Sequence, residues 1–137
     1  SAYTLTKYCK SSGYGKPDGK TKLEERDDVA YSEWKGSWRM PTKTELNELI
    51  NNCTWSHDSV NGVEGYTIKS KKNGMSIFLP LSGYKYESST FGVGATLSRG
   101  YWSASTEGMG TAFCLYFSSI KVYAESRCYG LTVRAVL

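Results

Sequence analysis

The sequence predicts a single α+β domain, in which two helices are packed on short antiparallel strands joined by long loops. Two observations predict this class. Helix signals are confined to residues 23–53, and alternating apolar residues fill much of the chain after them. The length of 137 residues suits one hydrophobic core, and no internal repeat or linker divides residues 1–137. The first twenty residues are rich in Gly and Ser and are expected to form a loop.

The two predicted helices differ in the strength of their signals. Leu23–Trp34 has acidic residues in its first turns and Gly36 after its end. The second helix begins after Thr42, which with Glu45 makes a capping box, because each side chain reaches the backbone of the other. Its apolar face consists of Leu46, Leu49, Ile50 and Cys53. All four tryptophans are expected in the core: Trp34, Trp38 and Trp55 flank the two helices, and Trp102 lies at the start of a predicted strand.

A first β-hairpin is predicted around Asn73-Gly74, a pair that favours a tight turn. Alternating apolar residues flank this turn: Tyr66 and Ile68 before it, and Met75, Ile77 and Leu79 after it. Pro80 ends the second strand or places it at a sheet edge, because proline cannot donate a backbone hydrogen bond. Residues 83–100 are rich in Gly, Ser and Thr and are predicted to form a long loop.

A second hairpin is predicted in the last third, with its turn at Ser118-Ser119. This turn pairs Leu115 with Val122 on one face, and Cys114 with Tyr123 and Tyr116 with Lys121 on the other. The first face is apolar and is predicted to face the core, whereas the second carries mixed side chains and is predicted to face outward. Residues 130–137 are predicted to form a final strand that directs Leu131, Val133 and Ala135 inward.

The composition argues against several classes of partner. The net charge is +4, but no basic stripe with interleaved aromatics occurs, so we expect no nucleic-acid binding. No run approaches 18 apolar residues, so direct membrane insertion is not expected. Aromatic residues make up 14% of the chain and are mostly Tyr, which is favoured both in strands and on binding faces.

Catalysis and metal binding have little support in the sequence. His57 is the only histidine, and beside Asp58 it is expected in a solvated loop. The four cysteines lack CxxC spacing, so no zinc site is predicted; their even number allows two disulfides in an oxidising compartment. The pairs Glu24-Glu25 and Asp27-Asp28 are interpreted as partners of the helix dipole. We therefore expect no enzyme activity, no cofactor and no metal.

Several strings of the chain are similar to those of a known family. They are Trp38-Arg39-Met40-Pro41-Thr42, Ile77-Phe78-Leu79-Pro80, Gly100-Tyr101-Trp102-Ser103-Ala104-Ser105, Leu115-Tyr116-Phe117 and Gly130-Leu131-Thr132-Val133-Arg134-Ala135-Val136. Together they resemble the bacterial major paralogous domain (FISUMP) proteins, which are similar to the formylglycine-generating-enzyme subclass of the C-type lectin fold. The resemblance implies a C-type-lectin-like domain from a bacterial surface lipoprotein or a phage tail. A further N-terminal stretch that is common in the family is expected to precede Ser1.

The resemblance also bears on calcium. Sugar-binding C-type lectins hold Ca²⁺ with a Glu-Pro-Asn or Gln-Pro-Asp triplet and a Trp-Asn-Asp triplet. Leu79-Pro80-Leu81 and Tyr101-Trp102-Ser103 stand in their place, and neither has the oxygen ligands that a hard cation needs. Any ligand binding is therefore expected to be independent of Ca²⁺.

The chain is similar as well to the variable proteins of diversity-generating retroelements, in which a C-terminal segment is rewritten at template adenines. By this resemblance the scaffold would be Trp102, Ala112, Leu115, Phe117, Val122, Arg127, Gly130, Val133 and Arg134. The variable, ligand-binding positions would be Thr106, Glu107, Met109, Thr111, Phe113, Cys114, Ser118, Lys121, Tyr123, Glu125, Ser126, Cys128 and Tyr129. Phe113 departs from this pattern, because the strand alternation places it inward.

The predicted function is Ca²⁺-independent binding, through residues 103–129, of a protein or glycan on another cell surface. One alternative is a structural or adhesin module of fixed sequence in a bacterial surface lipoprotein. Another is a carbohydrate-binding module.

Overall fold

A computed structural model describes residues 4–91 and 100–137. The architecture is α+β, with two short helices and three small antiparallel sheets in these ranges. The elements in chain order are α1 Val29–Trp34, α2 Lys43–Asn52, β1 Cys53–Val60, β2 Val63–Ser70, β3 Ser76–Pro80, β4 Tyr84–Tyr86, β5 Ser89–Phe91, β6 Tyr101–Thr106, β7 Thr111–Tyr116, β8 Lys121–Ser126 and β9 Tyr129–Gly130. The sheets have the strand orders β1-β2-β3, β5-β4-β9 and β6-β7-β8.

The first helix is shorter than predicted. A single 3-10 turn covers Glu25–Asp27, and α1 begins only after Asp28. The reason is the Asp28 carboxylate, which is buried and accepts hydrogen bonds from the backbone N–H groups of Ala30 (2.9 Å), Tyr31 (3.3 Å) and Met40 (2.8 Å). Asp28 therefore caps α1 and ties it to the segment before α2.

The second helix agrees with its sequence signature. The Thr42 hydroxyl accepts from the Glu45 N–H, and the Glu45 carboxylate accepts from the Thr42 N–H, so the predicted capping box is confirmed. Leu46 on this helix is buried in the main core. That core lies between α2 and two of the sheets and consists of Leu46, Ile68, Leu79, Tyr101, Leu115 and Phe117.

Two of the tryptophan predictions are wrong. Trp34 and Trp38 are 59% and 39% exposed and form an edge-to-face pair, with ring centroids 6.2 Å apart. Both lie at or just after the end of the six-residue helix α1, which is too short to bury them against the sheets. Trp55 and Trp102 are half-buried: Trp55 packs against the main core, and Trp102 packs against a second buried cluster of Ala30, Met40, Ala104 and Ala135.

The β1-β2-β3 sheet contains the predicted β2–β3 hairpin and a second hairpin that was not predicted. β1 and β2 are joined by Asn61-Gly62, with φ angles of 52° and 78°. Positive φ at both turn residues is what a type I′ turn requires. His57, expected in a loop, therefore lies within β1, opposite Tyr66. β3 is an edge strand and ends at Pro80, as predicted.

The region predicted as a loop from 83 to 100 contains the short strands β4 and β5, and residues 92–99 lie outside the described part of the chain. Residues 130–137 are likewise not one strand. β9 ends at Gly130, after which Thr132 and Val136 make single bridges to Tyr101 and Arg39. Ala135 is buried as expected, while Leu131 and Val133 are half-buried.

Candidate functional site

The β7–β8 hairpin positions most of the predicted site residues. Its register confirms the predicted pairs Leu115–Val122, Cys114–Tyr123 and Tyr116–Lys121. Leu115 faces the core, so alternation along the strands directs Tyr116, Lys121 and Tyr123 to the opposite side of the sheet. At the end of β8, residues 126–128 lead toward β9 and meet the loop from β6 to β7.

Seven of the thirteen predicted positions line two depressions. The first, here called the end groove, has a volume of about 570 Å³. Four predicted residues line it: Met109, Thr111, Ser126 and Cys128. The second, here called the β8 depression, has a volume of about 490 Å³ and is lined by three: Ser118, Tyr123 and Glu125. Glu125 in the β8 depression and Ser126 in the end groove are consecutive residues of β8.

One wall of the end groove comes from the N-terminal segment, through Leu5 and Tyr14. The Leu5 N–H donates to the Tyr14 carbonyl (2.6 Å), which closes this segment into a loop. Farther along, the Lys10 N–H donates to the Gly108 carbonyl at 2.6 Å. A Cβ atom at Gly108 would lie 2.7 Å from that of Lys10, so glycine is needed for this close approach.

Arg127 also contacts the N-terminal segment. Its Nη1 donates to the Lys7 carbonyl (3.3 Å), and its guanidinium lies 5.9 Å from the centre of the Tyr8 ring. The Tyr8 hydroxyl in turn donates to Asp27 at 2.6 Å and accepts from the Glu24 N–H at 2.8 Å. Burial and the hydrogen bond to Asp27 raise the pKa of Tyr8 above its ordinary value. Arg127 thus has contacts that suit a scaffold residue beside the groove.

The β8 depression presents chemically varied groups to solvent. Tyr123 is 47% exposed and meets the Tyr116 ring edge-to-face, with centroids 5.8 Å apart. Lys121, opposite Tyr116, is exposed, and Glu125 is half-buried. An aromatic face with one cation and one carboxylate nearby can take both apolar and hydrogen-bonding ligand groups.

Six predicted positions lie outside both depressions. Thr106 and Cys114 are buried, with 5% and 0% exposure, so neither can contact a ligand and both are removed from the site. Phe113 is on the α2 side of the sheet, where the Lys43 Nζ lies 3.8 Å from its ring centre. The remaining three positions are Glu107, Lys121 and Tyr129.

Two of these three residues make contacts within the chain. The Glu107 carboxylate accepts from the Thr111 hydroxyl at 2.6 Å, so it supports one wall residue of the end groove. Tyr129 belongs to β9 in another sheet, where its ring contacts Tyr84 and Tyr86. Lys121 is exposed beside the β8 depression and remains available to a ligand.

Sequence reasoning missed the N-terminal contribution to the site. Thr4, Leu5 and Tyr14 line the end groove although they are about a hundred positions from Met109 in the chain. No periodicity or motif in one sequence reports a contact at that separation. Gly108 was the available signal, because glycine often marks a close backbone approach, but glycine is equally common in turns that need a positive φ.

In the described part of the chain, the side chains that could act in catalysis or bind a metal do not form a cluster. Within 4–91 and 100–137, no three His, Cys, Asp or Glu side chains converge as a metal-binding set. The His57 Nε2 lies 3.3 Å from the Glu64 Oε2, and both side chains are exposed on the β1–β2 hairpin. The hydrogen bonds of Asp58 to the Thr67 hydroxyl and Ser59 N–H lower its pKa.

None of the four cysteines forms a disulfide in the described structure, so neither bridge that their even number allows is present. Cys9 and Cys114 are buried, Cys53 is half-buried, and Cys128 is exposed in the wall of the end groove. The Cys128 Sγ lies 3.1 Å from the Ser126 hydroxyl.

Comparison with known proteins returned no relatives: no protein-family model, no curated protein and no solved structure matches this chain. Among the described residues, no helix is long and apolar enough to cross a membrane.

Proposed function

We propose that this chain is a C-type-lectin-like, Ca²⁺-independent ligand-binding domain whose site combines the end groove with the β8 depression. One observation carries the proposal: seven of the thirteen variable-type positions line the two depressions, whereas the scaffold-type positions Leu115 and Phe117 of the same hairpin are buried. Leu115 and Phe117 have 0% and 2% exposure, whereas Met109 and Tyr123 have 42% and 47%. A rigid sheet whose accessible side chains carry little core packing suits a binding surface.

The ligand is proposed to be a protein or glycan on another cell surface. Mixed aromatic, hydroxyl and charged groups around the two depressions suit a ligand that presents apolar patches and hydrogen-bonding groups together. The cellular location in this proposal, outside the cytoplasm on a bacterial surface or phage tail, rests on the family resemblance alone.

The binding proposal is tested with a triple variant, Met109→Ala, Tyr123→Ala and Glu125→Ala, on a glycan array and a panel of bacterial cells. The native chain is expected to bind a member of these panels without added Ca²⁺ and in the presence of a chelator. The triple variant should bind at least about tenfold more weakly, since three contact residues near the centre of an interface together usually contribute more than about 1.4 kcal/mol. Its melting temperature should change by no more than about 2 °C.

The matched control is Trp34→Ala, which removes an exposed aromatic side chain from α1. It should bind as the native chain does. If the triple variant also binds as before, the site is elsewhere. Absence of binding by the native chain would instead favour a structural module of fixed sequence.

We also propose that a retroelement diversifies the variable positions, and the genome sequence around the gene tests this. The gene should lie beside a reverse-transcriptase gene and a near-copy of the segment that encodes residues 100–137. The two copies should differ almost only where the template has adenine. Differences spread evenly over the four bases, or the absence of a second copy, would leave a binding surface of fixed sequence.

A further inference from the structure

The α2 side of the β6-β7-β8 sheet contains a cavity that the proposed binding face does not use. It has a volume of about 250 Å³ and lies between α2, β3 and the segment 134–136. Its walls are almost entirely apolar, and the residues that matter here are Leu46, Leu49, Ile77, Leu79 and Leu115. Apolar cavities of about 150 Å³ stay dry and bind small apolar molecules such as benzene. This one has room for a larger apolar group.

The cavity opens to solvent on the side where Ile77 and Arg134 are exposed. Within residues 4–91 and 100–137, Arg134 makes no hydrogen bond or ion pair. Its guanidinium is close enough to Tyr101, in the cavity wall, to counteract part of the effect of burial, which raises the pKa of that phenol to about 12. The Tyr101 hydroxyl donates to the Pro80 carbonyl at 3.0 Å, so its proton is not available to a ligand in the cavity.

A carboxylate also borders the cavity, but its charge is compensated. Glu45 receives two hydrogen bonds from Arg39, from Nη1 at 2.8 Å and from Nη2 at 2.5 Å. The Arg39 guanidinium holds the pKa of Glu45 at about 2, and the Thr42 N–H and hydroxyl act in the same direction. Because Glu45 and Arg39 neutralise each other, Arg134 is the uncompensated charge among the described residues at the opening.

We propose that this cavity binds a small hydrophobic carboxylic acid, with its apolar chain or ring inside and its carboxylate against Arg134. The apolar walls favour the hydrocarbon part, and each buried methylene contributes to binding. The guanidinium favours a planar anion, with which it can form two parallel hydrogen bonds. The cavity is separate from the proposed binding site, because no residue that lines the cavity also lines the end groove or the β8 depression.

The test is an NMR titration of methyl-labelled protein with three six-carbon probes of different charge: hexanoate, hexanol and hexylammonium. Hexanoate should shift the methyl resonances of Leu46, Leu49, Ile77 and Leu115, while Val60 and Val63 at the distant β1–β2 turn stay unchanged. Hexanoate should bind about tenfold more tightly than hexanol, which lacks the charge, and hexylammonium should bind more weakly than either. From butanoate to hexanoate, affinity should rise about fourfold per methylene.

Two variants measure separately the contribution of the Arg134 charge and that of the apolar cavity to binding. Arg134→Gln should reduce the affinity for hexanoate to that for hexanol, with no effect on hexanol itself. The control Arg26→Gln removes an exposed guanidinium outside the cavity and should bind hexanoate as the native chain does. Leu49→Trp should fill the cavity and abolish binding of both probes.

The proposal is overturned if hexanoate does not shift the cavity methyls, or if Arg134→Gln leaves its affinity unchanged. Equal affinity for hexanoate and hexylammonium would also overturn it. Cavity resonances that shift with protein concentration in the absence of probe would assign the cavity to a second copy of this chain instead. Arg134→Gln changes an exposed side chain, so it keeps the test decisive even if Leu49→Trp does not fold.

Discussion

The two strands of the β7–β8 hairpin have the same length and the same alternation, yet they differ in burial. Cys114 on β7 is completely buried, while its partner Tyr123 on β8 is 47% exposed. On the opposite side of the sheet, Leu115 is fully buried and its partner Val122 only half-buried. β7 is the central strand of the sheet and β8 an edge strand.

An alternating pattern is often taken to show both which face of a sheet a residue is on and how deeply it is buried, and this difference shows that the two properties are separate. Alternation determines which residues share a face, because the side-chain period of a strand is two. It does not determine how deeply each face is covered, because that depends on neighbouring strands and on segments distant in sequence. A residue on the outward phase of a central strand can therefore be buried, as Cys114 is.

The largest expected effect is on the core side of the central strand. Leu115→Ala should lower the free energy of unfolding by about 3 kcal/mol, because a completely buried leucine leaves a cavity when truncated. Val122→Ala, its half-buried partner on β8, should cost about 1 kcal/mol. Urea denaturation of both variants measures the two values, and equal losses would contradict the difference between the strands.

The next largest effect on stability is expected at Cys114, on the opposite side of β7. Cys114→Ser should destabilise the fold by about 1.5 kcal/mol, because it places a hydroxyl in a fully buried position. Cys128→Ser, in an exposed position, should change stability by less than about 0.5 kcal/mol. Reaction with a thiol reagent gives a second measurement: Cys128 should react in the native protein, and Cys114 only after unfolding. Comparable reaction rates would show that Cys114 is open to solvent.

The pH dependence of stability tests the Arg39–Glu45 ion pair at the start of α2. The Glu45 pKa is lowered from 4.5 to about 2, so its contribution to stability is present above the unfolded value and is lost as the pH falls from about 5 to 2. Both side chains of the Arg39–Glu45 pair are about one third exposed, so water screens the pair and we expect a loss of about 1 kcal/mol. Glu45→Gln should remove most of this dependence in unfolding curves measured across that range, and an unchanged profile would assign it to other groups.

The smallest effect is expected on the exposed side of β8. Tyr123→Ala should change the free energy of unfolding by less than about 0.5 kcal/mol, because the ring is half exposed and its packing contact is the edge of Tyr116. Tyr116→Ala, on the central strand, should cost more, since that side chain is less exposed. If Tyr123→Ala is the more damaging of the two, Tyr123 supports the fold and is a poor candidate for a ligand contact.

Much of the fold could be predicted where the signal is local. The capping box of Thr42 and Glu45 specified where α2 begins, and alternation specified the register of β7 and β8. The β1–β2 hairpin carries an equally local signal, Asn61-Gly62, although it was not predicted. By contrast, α1 is shorter than its acidic residues suggested, because Asp28 caps a later start by accepting hydrogen bonds from Ala30 in the first turn of the helix and from Met40 after it.

The candidate site could be predicted only in part. Met109 was identified from the resemblance, and Tyr123 from the resemblance and its outward phase, and both line the proposed depressions. Leu5 and Tyr14 were missed, because they join the end groove through backbone contacts such as that of Lys10 with Gly108.

The sequence by itself determined the α+β class, the start of α2 and the pairing of the last hairpin, since each depends on neighbours within a few residues. Only the tertiary structure decided that Cys114 is buried, that Trp34 and Trp38 are exposed, and that the N-terminal segment completes the end groove. The physical reason is that burial is a property of all the surfaces that meet at a point. Segments separated by about a hundred residues meet at the end groove, and no local pattern records their approach.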